Sequence, residues 1–363
     1  MQKSWQEWTQ ENIARHCDPE GIAKILLENK FSPGAIREMM GTSYPAASPL
    51  LAPSRAPTPP GVDAVEPQPG VAANAPTVSL PDGVDPAQVQ RKVQSLLAIQ
   101  RSLANLDPKS VKVERRPRLS RLEFLKGYYA PNRPVVMTGL MTKWPAMKKW
   151  TPDYLKATCG AETVEIMGAR ETTKQYEIQD APHRRNVRFA DYVDMVEGGR
   201  ETNDIYLTAR NDFFNKPGMK PLLADFMPFN EFLKSDGTGN GTFFWYGPKG
   251  TVTPLHYDPM NIFMAQVRGR KTVKLVPAND LDLVYNHYAV YSQVDLSDPD
   301  YAKFPRFRDA RVLEVELEPG DVLFLPVGWW HWVKSLDASI TVSFNNFVFP
   351  NTFDWTGPRE AVA

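Results

Sequence analysis

The amino-acid sequence predicts a mainly β protein with flanking helices, in which a double-stranded β-helix, or jelly roll, follows a small N-terminal helical module. From Phe243 onward, short apolar runs alternate with turn residues, and this pattern predicts a succession of strands. Before Phe243 sustained period-two alternation is scarce, whereas helix caps recur along residues 1–42. Together these observations indicate two antiparallel sheets that form a flattened barrel, with helices against one face.

Residues 1–42 carry signals for three short helices. Asp18 and Ser32 are capping residues that each precede a proline at the first helical position, and Gly41 can end the last helix. Residues 43–84 are rich in Pro, Ala, Ser and Gly, with few large side chains. Because such a composition buries too little apolar surface to offset its ordering entropy, a flexible linker is predicted there.

Residues 85–112 are predicted to be a helix and a lead-in to the main domain. The helix should run from Asp85 to about Leu106, with an apolar stripe that packs against the barrel or against a dimer partner. Residues 113–355 then form the jelly-roll domain. Its first part carries a capping box at Ser120–Glu123, a strand at Pro134–Met137 and a helix start at Thr151.

The strands of the jelly-roll domain are predicted from apolar runs between turn signals. Phe263–Val267 and Lys271–Val276 are joined by a turn at Gly269, and the triplet His256-Tyr257-Asp258 is placed at the start of the first of these two strands. A buried strand is predicted at Val322–Pro326, after the turn at residues 317–321. Ile340–Phe344 closes the series as another strand.

Three side chains predict a metal site. Residues two apart on a strand point to the same face, so His256 and Asp258 can converge on one ion. A second imidazole, His331, comes from a separate apolar run. Two histidines and one carboxylate that leave coordination positions open are typical of non-haem iron(II) oxygenases, whereas a structural zinc site would use four ligands. The two tryptophans that precede His331 are expected to shield the metal from water.

The main domain contains six motifs that resemble those of the cupin-like JmjC oxygenases: TPLHYD at 253–258, QVRGRK at 266–271, SQVD at 292–295, DPDY at 298–301, PGDVL at 319–323 and WWH at 329–331. The resemblance runs from about Arg118 to Phe349, and within the family it is similar to the asparaginyl hydroxylase of hypoxia-inducible factor. It implies an enzyme that uses iron(II), 2-oxoglutarate and O2 to hydroxylate a side chain of a peptide or protein.

The resemblance also implies which residues hold the co-substrate. Lys271 would form a salt bridge with the distal carboxylate of 2-oxoglutarate, and Thr253 and Tyr206 would donate their hydroxyls. Asn261 and Ser343 complete the expected co-substrate contacts. Both depart from the asparaginyl hydroxylase: Asn261 falls one position short of the family spacing, so it would face the other side of an unbroken strand, and Ser343 replaces an asparagine.

A further departure lies two residues on, where Asn345 takes the place of a tryptophan of the asparaginyl hydroxylase. The wall of the pocket is therefore expected to be smaller and more polar. The substrate of that relative is not carried over to this chain.

Composition limits the remaining possibilities. The chain has 363 residues with 42 basic and 42 acidic side chains, so its formal net charge is zero. This balance favours neither nucleic acid nor an anionic membrane as a partner, and no apolar stretch reaches the length of a membrane span. The polar N-terminus and the two distant cysteines, Cys17 and Cys159, predict a cytoplasmic protein.

The sequence is compatible with several alternatives. The same chemistry on a free small molecule such as an amino acid predicts a deep closed pocket, and a non-catalytic cupin binding module predicts no consumption of 2-oxoglutarate. Lysine demethylation is a variant of the protein-modifying activity. Residues 1–42, on their linker, could hold a peptide or protein substrate at high local concentration. Alternatively they serve dimerisation or solubility, and a homodimer is a further possibility.

Overall fold

The structure is a computed structural model that describes residues 5–14, 18–29, 31, 33–41, 83–209, 212–227, 229–234 and 240–353. Its contacts divide the chain into two units, residues 1–71 and 72–363. The eight α-helices of the described residues are α1 Trp5–Ala14, α2 Pro19–Glu28, α3 Pro33–Met40, α4 Pro86–Leu106, α5 Arg121–Phe124, α6 Ala146–Lys149, α7 Pro152–Cys159 and α8 Phe189–Glu197.

The N-terminal unit contains α1, α2 and α3, which pack around a small apolar core. The Asp18 carboxylate caps α2 by accepting hydrogen bonds from the backbone N–H groups of Glu20 and Gly21. Buried side chains of α2 and α3 meet in the core, among them Leu26 and Ile36. The three helices predicted from the cap signals are therefore present. His16 and Cys17, interpreted from the sequence as structural, lie outside the described residues.

The second unit is built on fourteen strands of the described residues. They are β1 Glu114–Arg116, β2 Val135–Met137, β3 Thr163–Met167, β4 Arg184–Arg188, β5 Thr242–Gly247, β6 Val252–Tyr257, β7 Ile262–Arg268, β8 Lys271–Val276, β9 Asn286–Tyr288, β10 Tyr291–Ser292, β11 Leu313–Leu317, β12 Val322–Leu325, β13 Trp330–Ser335 and β14 Ser339–Phe344.

Two six-stranded sheets form the jelly roll. The first sheet has the order β1-β2-β12-β7-β14-β5 and the second has the order β11-β8-β13-β6-β10-β9. Apart from the parallel β1–β2 pair, neighbouring strands in both sheets are antiparallel. From β5 to β8 and from β11 to β14, successive strands alternate between the sheets as the chain winds around the barrel. The predicted double-stranded β-helix with flanking helices is confirmed.

The outer face of the first sheet packs against helices through an aromatic core. Phe124 of α5 has its ring centroid 4.9 Å from that of Phe324 on β12 and 5.4 Å from that of Phe263 on β7. The capping box predicted at Ser120 is present and fixes the start of α5. Thr151 likewise caps α7. Helix capping and aromatic packing therefore hold the first sheet rigid behind the cavity described below.

The turn at Gly269 carries the chain from β7 in the first sheet to β8 in the second. Gly269 has a φ of +67°, which is a left-handed conformation, and an added Cβ would lie 2.4 Å from the carbonyl oxygen of Ala338. Only glycine suits this position. The turn therefore allows Lys271 to be the first residue of β8, as the sequence predicts.

Helix α4 is present over the predicted span, but its apolar stripe does not pack on the barrel. Leu96 and Leu103 are each 55% exposed, and none of the side chains of α4 is buried. The helix is attached instead by Arg101, which donates hydrogen bonds to the Asp282 carboxylate and the Asn279 carbonyl. The expectation that the stripe packs against the barrel is therefore wrong. No helix in the described ranges has the length and apolarity that a membrane crossing needs.

Candidate metal centre

Two strands of the second sheet and the turn after one of them bring His256, Asp258 and His331 together. One ligand atom from each side chain lies within 4.8 Å of the other two, and Nε2 of His331 is 3.5 Å from Oδ2 of Asp258. The strand register explains the meeting, because His331 of β13 is directly opposite His256 of β6. Among the residues that the structure describes, this is the single cluster of three His, Cys, Asp or Glu side chains that could hold a metal.

The sequence placed this triplet at the start of a strand, and the structure corrects that prediction. His256 is the penultimate residue of β6, and Asp258 lies just beyond the strand end. The preceding residues 252–255, which were outside the predicted strand, form most of β6. His256 and Asp258 still converge, because they flank Tyr257 in the chain and point to the same side. The side chain of Tyr257 is buried on the opposite side.

Backbone carbonyl groups orient both imidazoles. Nδ1 of His256 is 2.8 Å from the carbonyl oxygen of Pro254, and Nδ1 of His331 is 3.2 Å from that of Trp329. Because a carbonyl oxygen can only accept, each Nδ1 must donate its proton in these hydrogen bonds. Each Nε2 is then left with a lone pair, which is the form that binds a metal, and a carbonyl at Nδ1 is the usual partner of a metal-bound histidine.

Burial favours the neutral forms of two side chains in the cluster, and a bound cation would offset this effect at the carboxylate. Loss of water raises the pKa of Asp258 above its usual value and lowers the pKa of His331 well below its usual value, with the nearby His256 adding to the second effect. A neutral imidazole is a metal ligand, and a buried carboxylate is stabilised by a neighbouring positive ion. The donor set of two nitrogens and one carboxylate therefore fits a divalent metal that keeps open positions.

A buried ammonium faces the same cavity. The side chain of Lys271 is 1% exposed, and its Nζ donates a hydrogen bond to the hydroxyl of Tyr206 at 3.2 Å. Burial lowers the pKa of Lys271 to about 7. Burial likewise raises the pKa of Tyr206 above its usual range, and the Thr253 side chain lies within hydrogen-bonding reach of the Tyr206 hydroxyl. An ammonium and two hydroxyls thus form a polar cluster suited to a carboxylate.

A cavity of about 310 Å³ joins the metal cluster to the ammonium. Seven of the eight site residues predicted from the sequence line it: Thr253, His256, Asp258, Lys271, Tyr206, His331 and Ser343. Ser343 lies on β14 and accepts a hydrogen bond from the indole N–H of Trp245 at 2.8 Å. The structure therefore brings together residues from five segments that are up to 137 positions apart in the chain.

Asn261 is the eighth predicted residue, and the structure does not place it in this cavity. Its side-chain oxygen accepts a hydrogen bond from the backbone N–H of Val327, and its amide group donates to the side chain of Asn351. The side chain is buried and fully engaged in holding these two loops together. The assignment of Asn261 to the co-substrate site is therefore corrected, because its register turns it away from the metal.

The aromatic shield predicted beside His331 is also corrected. Trp330 is fully buried against Leu255 and Tyr257 on the outer side of the second sheet, because alternate residues of β13 face opposite ways. The indole N–H of Trp329 donates a hydrogen bond to the carbonyl of Asn132. Neither tryptophan lines the cavity.

The cavity wall includes residues that sequence reasoning missed. Phe243 and Trp245 lie two positions apart on β5 and therefore face the same side. This spacing was a usable signal for inward-facing side chains. Glu177 and Tyr291 also line the cavity. They come from segments with little regular pattern, and no local motif marks them.

Comparison with known proteins agrees with this geometry. Residues 121–353 match the family model described as a cupin-like domain. The chain is 34% identical over 228 residues to Lysine-specific demethylase 8 of Xenopus tropicalis, which covers 61% of this chain and 49% of the relative. It is 30% identical over 254 residues to JmjC domain-containing protein D of Dictyostelium discoideum, which covers 64% and 55%.

A third relative, tRNA wybutosine-synthesizing protein 5 of Gallus gallus, is 27% identical over 236 residues, which cover 62% of this chain and 74% of the relative. The chain spans about half the length of the first two relatives. None of the three tests the narrower likeness to the asparaginyl hydroxylase, which stays a prediction. The family match covers most of the jelly roll and all eight predicted site residues, and the chain therefore belongs to the cupin-like JmjC family.

Proposed function

We propose that this protein is an iron(II)- and 2-oxoglutarate-dependent oxygenase that hydroxylates a side chain of a peptide or protein. One observation supports the proposal above the others. The metal cluster of His256, Asp258 and His331 shares a cavity with the buried ammonium of Lys271. A 2-oxo acid needs a metal at one end and a cation at the other, and this cavity offers both.

Each part of the cavity has a role in the proposed reaction. His256, Asp258 and His331 would hold iron(II), and their three donors leave positions for other ligands. Lys271 would pair with the distal carboxylate of 2-oxoglutarate, while Thr253 and Tyr206 would donate hydroxyls to it. Iron(II) supplies the oxidation of a C–H bond by O2, coupled to conversion of 2-oxoglutarate into succinate and CO2.

The shape of the site favours an extended substrate over a free amino acid. A second cavity of about 320 Å³ shares Ala209 and Phe243 with the first. Two cavities with shared wall residues on and beside β5 offer more room than one free amino acid needs, and this supports a peptide as the substrate. The relatives named as lysine-specific demethylases are consistent with a protein substrate, although their names describe those proteins.

Mass spectrometry of a peptide library tests the proposal. The full chain is incubated with iron(II), 2-oxoglutarate, ascorbate and ¹⁸O2, and each peptide is examined for a gain of one labelled oxygen. Gain of oxygen that accompanies succinate formation is expected. Loss of a methyl group with release of formaldehyde would instead support the demethylation variant, and labelled oxygen on a free amino acid or on RNA would replace the peptide as the substrate.

The same assay distinguishes an enzyme from a non-catalytic binding module. The Asp258→Ala variant is the matched control, because it loses one metal donor and keeps the rest of the cavity. The wild type should form succinate and the variant should not. Equal background rates in both proteins, with a metal bound to the wild type, would support the binding module.

The roles considered for the N-terminal helices stay predictions. We propose substrate retention because Trp5 and Ile25 are 40% and 39% exposed on helices α1 and α2, which leaves apolar side chains available for a peptide. Changing both residues to serine should weaken binding of a peptide substrate without changing the consumption of 2-oxoglutarate at saturating peptide. An unchanged peptide affinity would favour the alternative role in dimerisation or solubility.

A further inference from the structure

A buried arginine lies behind the co-substrate end of the cavity. The side chain of Arg170 is fully buried, and its guanidinium group donates to the Glu177 carboxylate at 3.0 Å and to the Val252 carbonyl at 2.7 Å. It also donates to the side-chain oxygen of Asn203 at 2.9 Å. A guanidinium group that is buried with several partners is held in a single orientation, and its partners are held with it.

Arg170 and its neighbours replace a missing strand beside β6. On one side β6 pairs with β13 along most of its length, whereas on the other side β10 reaches only His256. At Val252 the N–H donates to Asn203, and the carbonyl accepts from Arg170 and from the Tyr176 hydroxyl. Side chains thus satisfy the strand edge immediately before Thr253.

The same guanidinium group packs on the tyrosine that contacts Lys271. Its central carbon lies 5.2 Å from the ring centroid of Tyr206 and 4.3 Å from that of Tyr176. These distances are within the range of cation–π contacts. Arg170 therefore binds the backbone of Val252, the residue before Thr253, and packs directly on the ring of Tyr206. One residue thus connects both proposed hydroxyl donors.

We propose that Arg170 is a positioning residue that sets the spacing of Tyr206 and Thr253 for the distal carboxylate of 2-oxoglutarate. This inference rests on the proposed function. Arg170 itself does not touch the co-substrate and does not bind the metal. Its loss should weaken binding of the distal carboxylate and leave metal binding intact.

The test uses the Arg170→Met variant loaded anaerobically with iron(II) and compares two ligands. Affinities for 2-oxoglutarate and for 2-oxopentanoate, which lacks the distal carboxylate, are measured by calorimetry. Loss of the hydrogen bonds should raise the Kd for 2-oxoglutarate about tenfold. The Kd for 2-oxopentanoate and the affinity for iron(II) should stay within about twofold of wild type. Arg170→Lys should not rescue binding, because an ammonium cannot match the planar guanidinium contacts.

Arg268→Met is the matched control. Arg268 forms a partly buried ion pair with Glu197 and does not line the cavity. This variant should lose stability without any change in the affinity for 2-oxoglutarate. If Arg170→Met fails to fold, Tyr176→Phe removes only the hydroxyl that reaches Val252, and its Kd for 2-oxoglutarate should rise about threefold.

Two results separate the possible failures. A wild-type protein that binds 2-oxoglutarate no better than 2-oxopentanoate contradicts the proposed function and this inference with it. The inference alone is overturned if the wild type binds 2-oxoglutarate more tightly than 2-oxopentanoate and a folded Arg170 or Tyr176 variant keeps the same ratio of the two Kd values. An equal loss of affinity for both ligands in the Arg170 variant would also overturn the inference, because that pattern indicates general damage to the site.

Discussion

His256 and His331 face each other across adjacent antiparallel strands, with ring centroids 4.0 Å apart. Two imidazoles at this distance, each with Nδ1 bound to a backbone carbonyl, present both Nε2 atoms to one point. The backbone of the sheet, and not a flexible loop, sets their separation. The metal site is therefore built into the register of β6 and β13.

Replacement of His256 by alanine should abolish metal binding. Two remaining donors cannot hold iron(II) at micromolar concentration, so both bound metal and succinate formation should fall to background. His183→Ala is the control, because His183 is also buried and its Nδ1 also contacts a carbonyl, that of Gly168. Metal content measured by atomic emission should drop in the first variant only. Full metal occupancy in His256→Ala would remove this residue from the site.

Lys271→Met should weaken the binding of 2-oxoglutarate about a hundredfold, because the distal carboxylate would be buried without its counter-ion. The change should be specific to that carboxylate. Calorimetry with 2-oxopentanoate, which has no such group, should give a Kd close to that of wild type. An unchanged Kd for 2-oxoglutarate would mean that another cation holds the carboxylate, and equal losses for both ligands would indicate general damage to the site.

The affinity for 2-oxoglutarate should depend on pH through Lys271. Burial lowers its pKa to about 7, so the ammonium needed for the salt bridge is present below pH 7 and is lost as the pH rises. The Kd should be nearly constant below about pH 7 and should rise about tenfold per pH unit above it. Lys271→Arg keeps its charge and should flatten this dependence. The same slope in both proteins would assign the titration to another group.

Asn261→Ala should reduce stability and leave the co-substrate affinity unchanged. The variant removes the bonds to Val327 and Asn351 inside a buried site, at a cost of about 1–3 kcal/mol in the free energy of unfolding. Asn345→Ala is the matched change within the cavity, where the amide donates only to the weakly accepting sulfur of Met260. Urea denaturation should show a lower free energy of unfolding for Asn261→Ala and little change for Asn345→Ala. A large rise in the Kd for 2-oxoglutarate in Asn261→Ala would restore its role at the site.

The sequence predicts the parts of this molecule that depend on local chemistry. Turn residues and apolar runs delimit β7, β8, β12 and β14, and capping residues mark the helix starts at Asp18, Ser120 and Thr151. The cluster of three metal donors is also predictable, because His256 and Asp258 lie two positions apart in the chain and His331 follows a separate apolar run. Local patterns are sufficient where neighbouring residues in the chain determine the structure.

Other features depend on contacts that a local pattern does not contain. The side of the sheet faced by Trp330 depends on the register of β13, and the exposure of the α4 stripe depends on where the barrel ends. Glu177 lines the cavity and Arg170 lies behind it, and both come from a segment with little regular structure. Their roles follow from long-range hydrogen bonds, such as that from Arg170 to Val252, 82 positions away.

A crystal structure of the protein grown anaerobically with iron(II) and 2-oxoglutarate tests the central claim most directly. Anomalous scattering should locate one iron bound by Nε2 of His256, a carboxylate oxygen of Asp258 and Nε2 of His331. The distal carboxylate of the ligand should lie within 3.5 Å of Nζ of Lys271, the limit for a hydrogen bond. Iron bound elsewhere, or a fourth protein group in the position of the 2-oxo acid, would contradict the account.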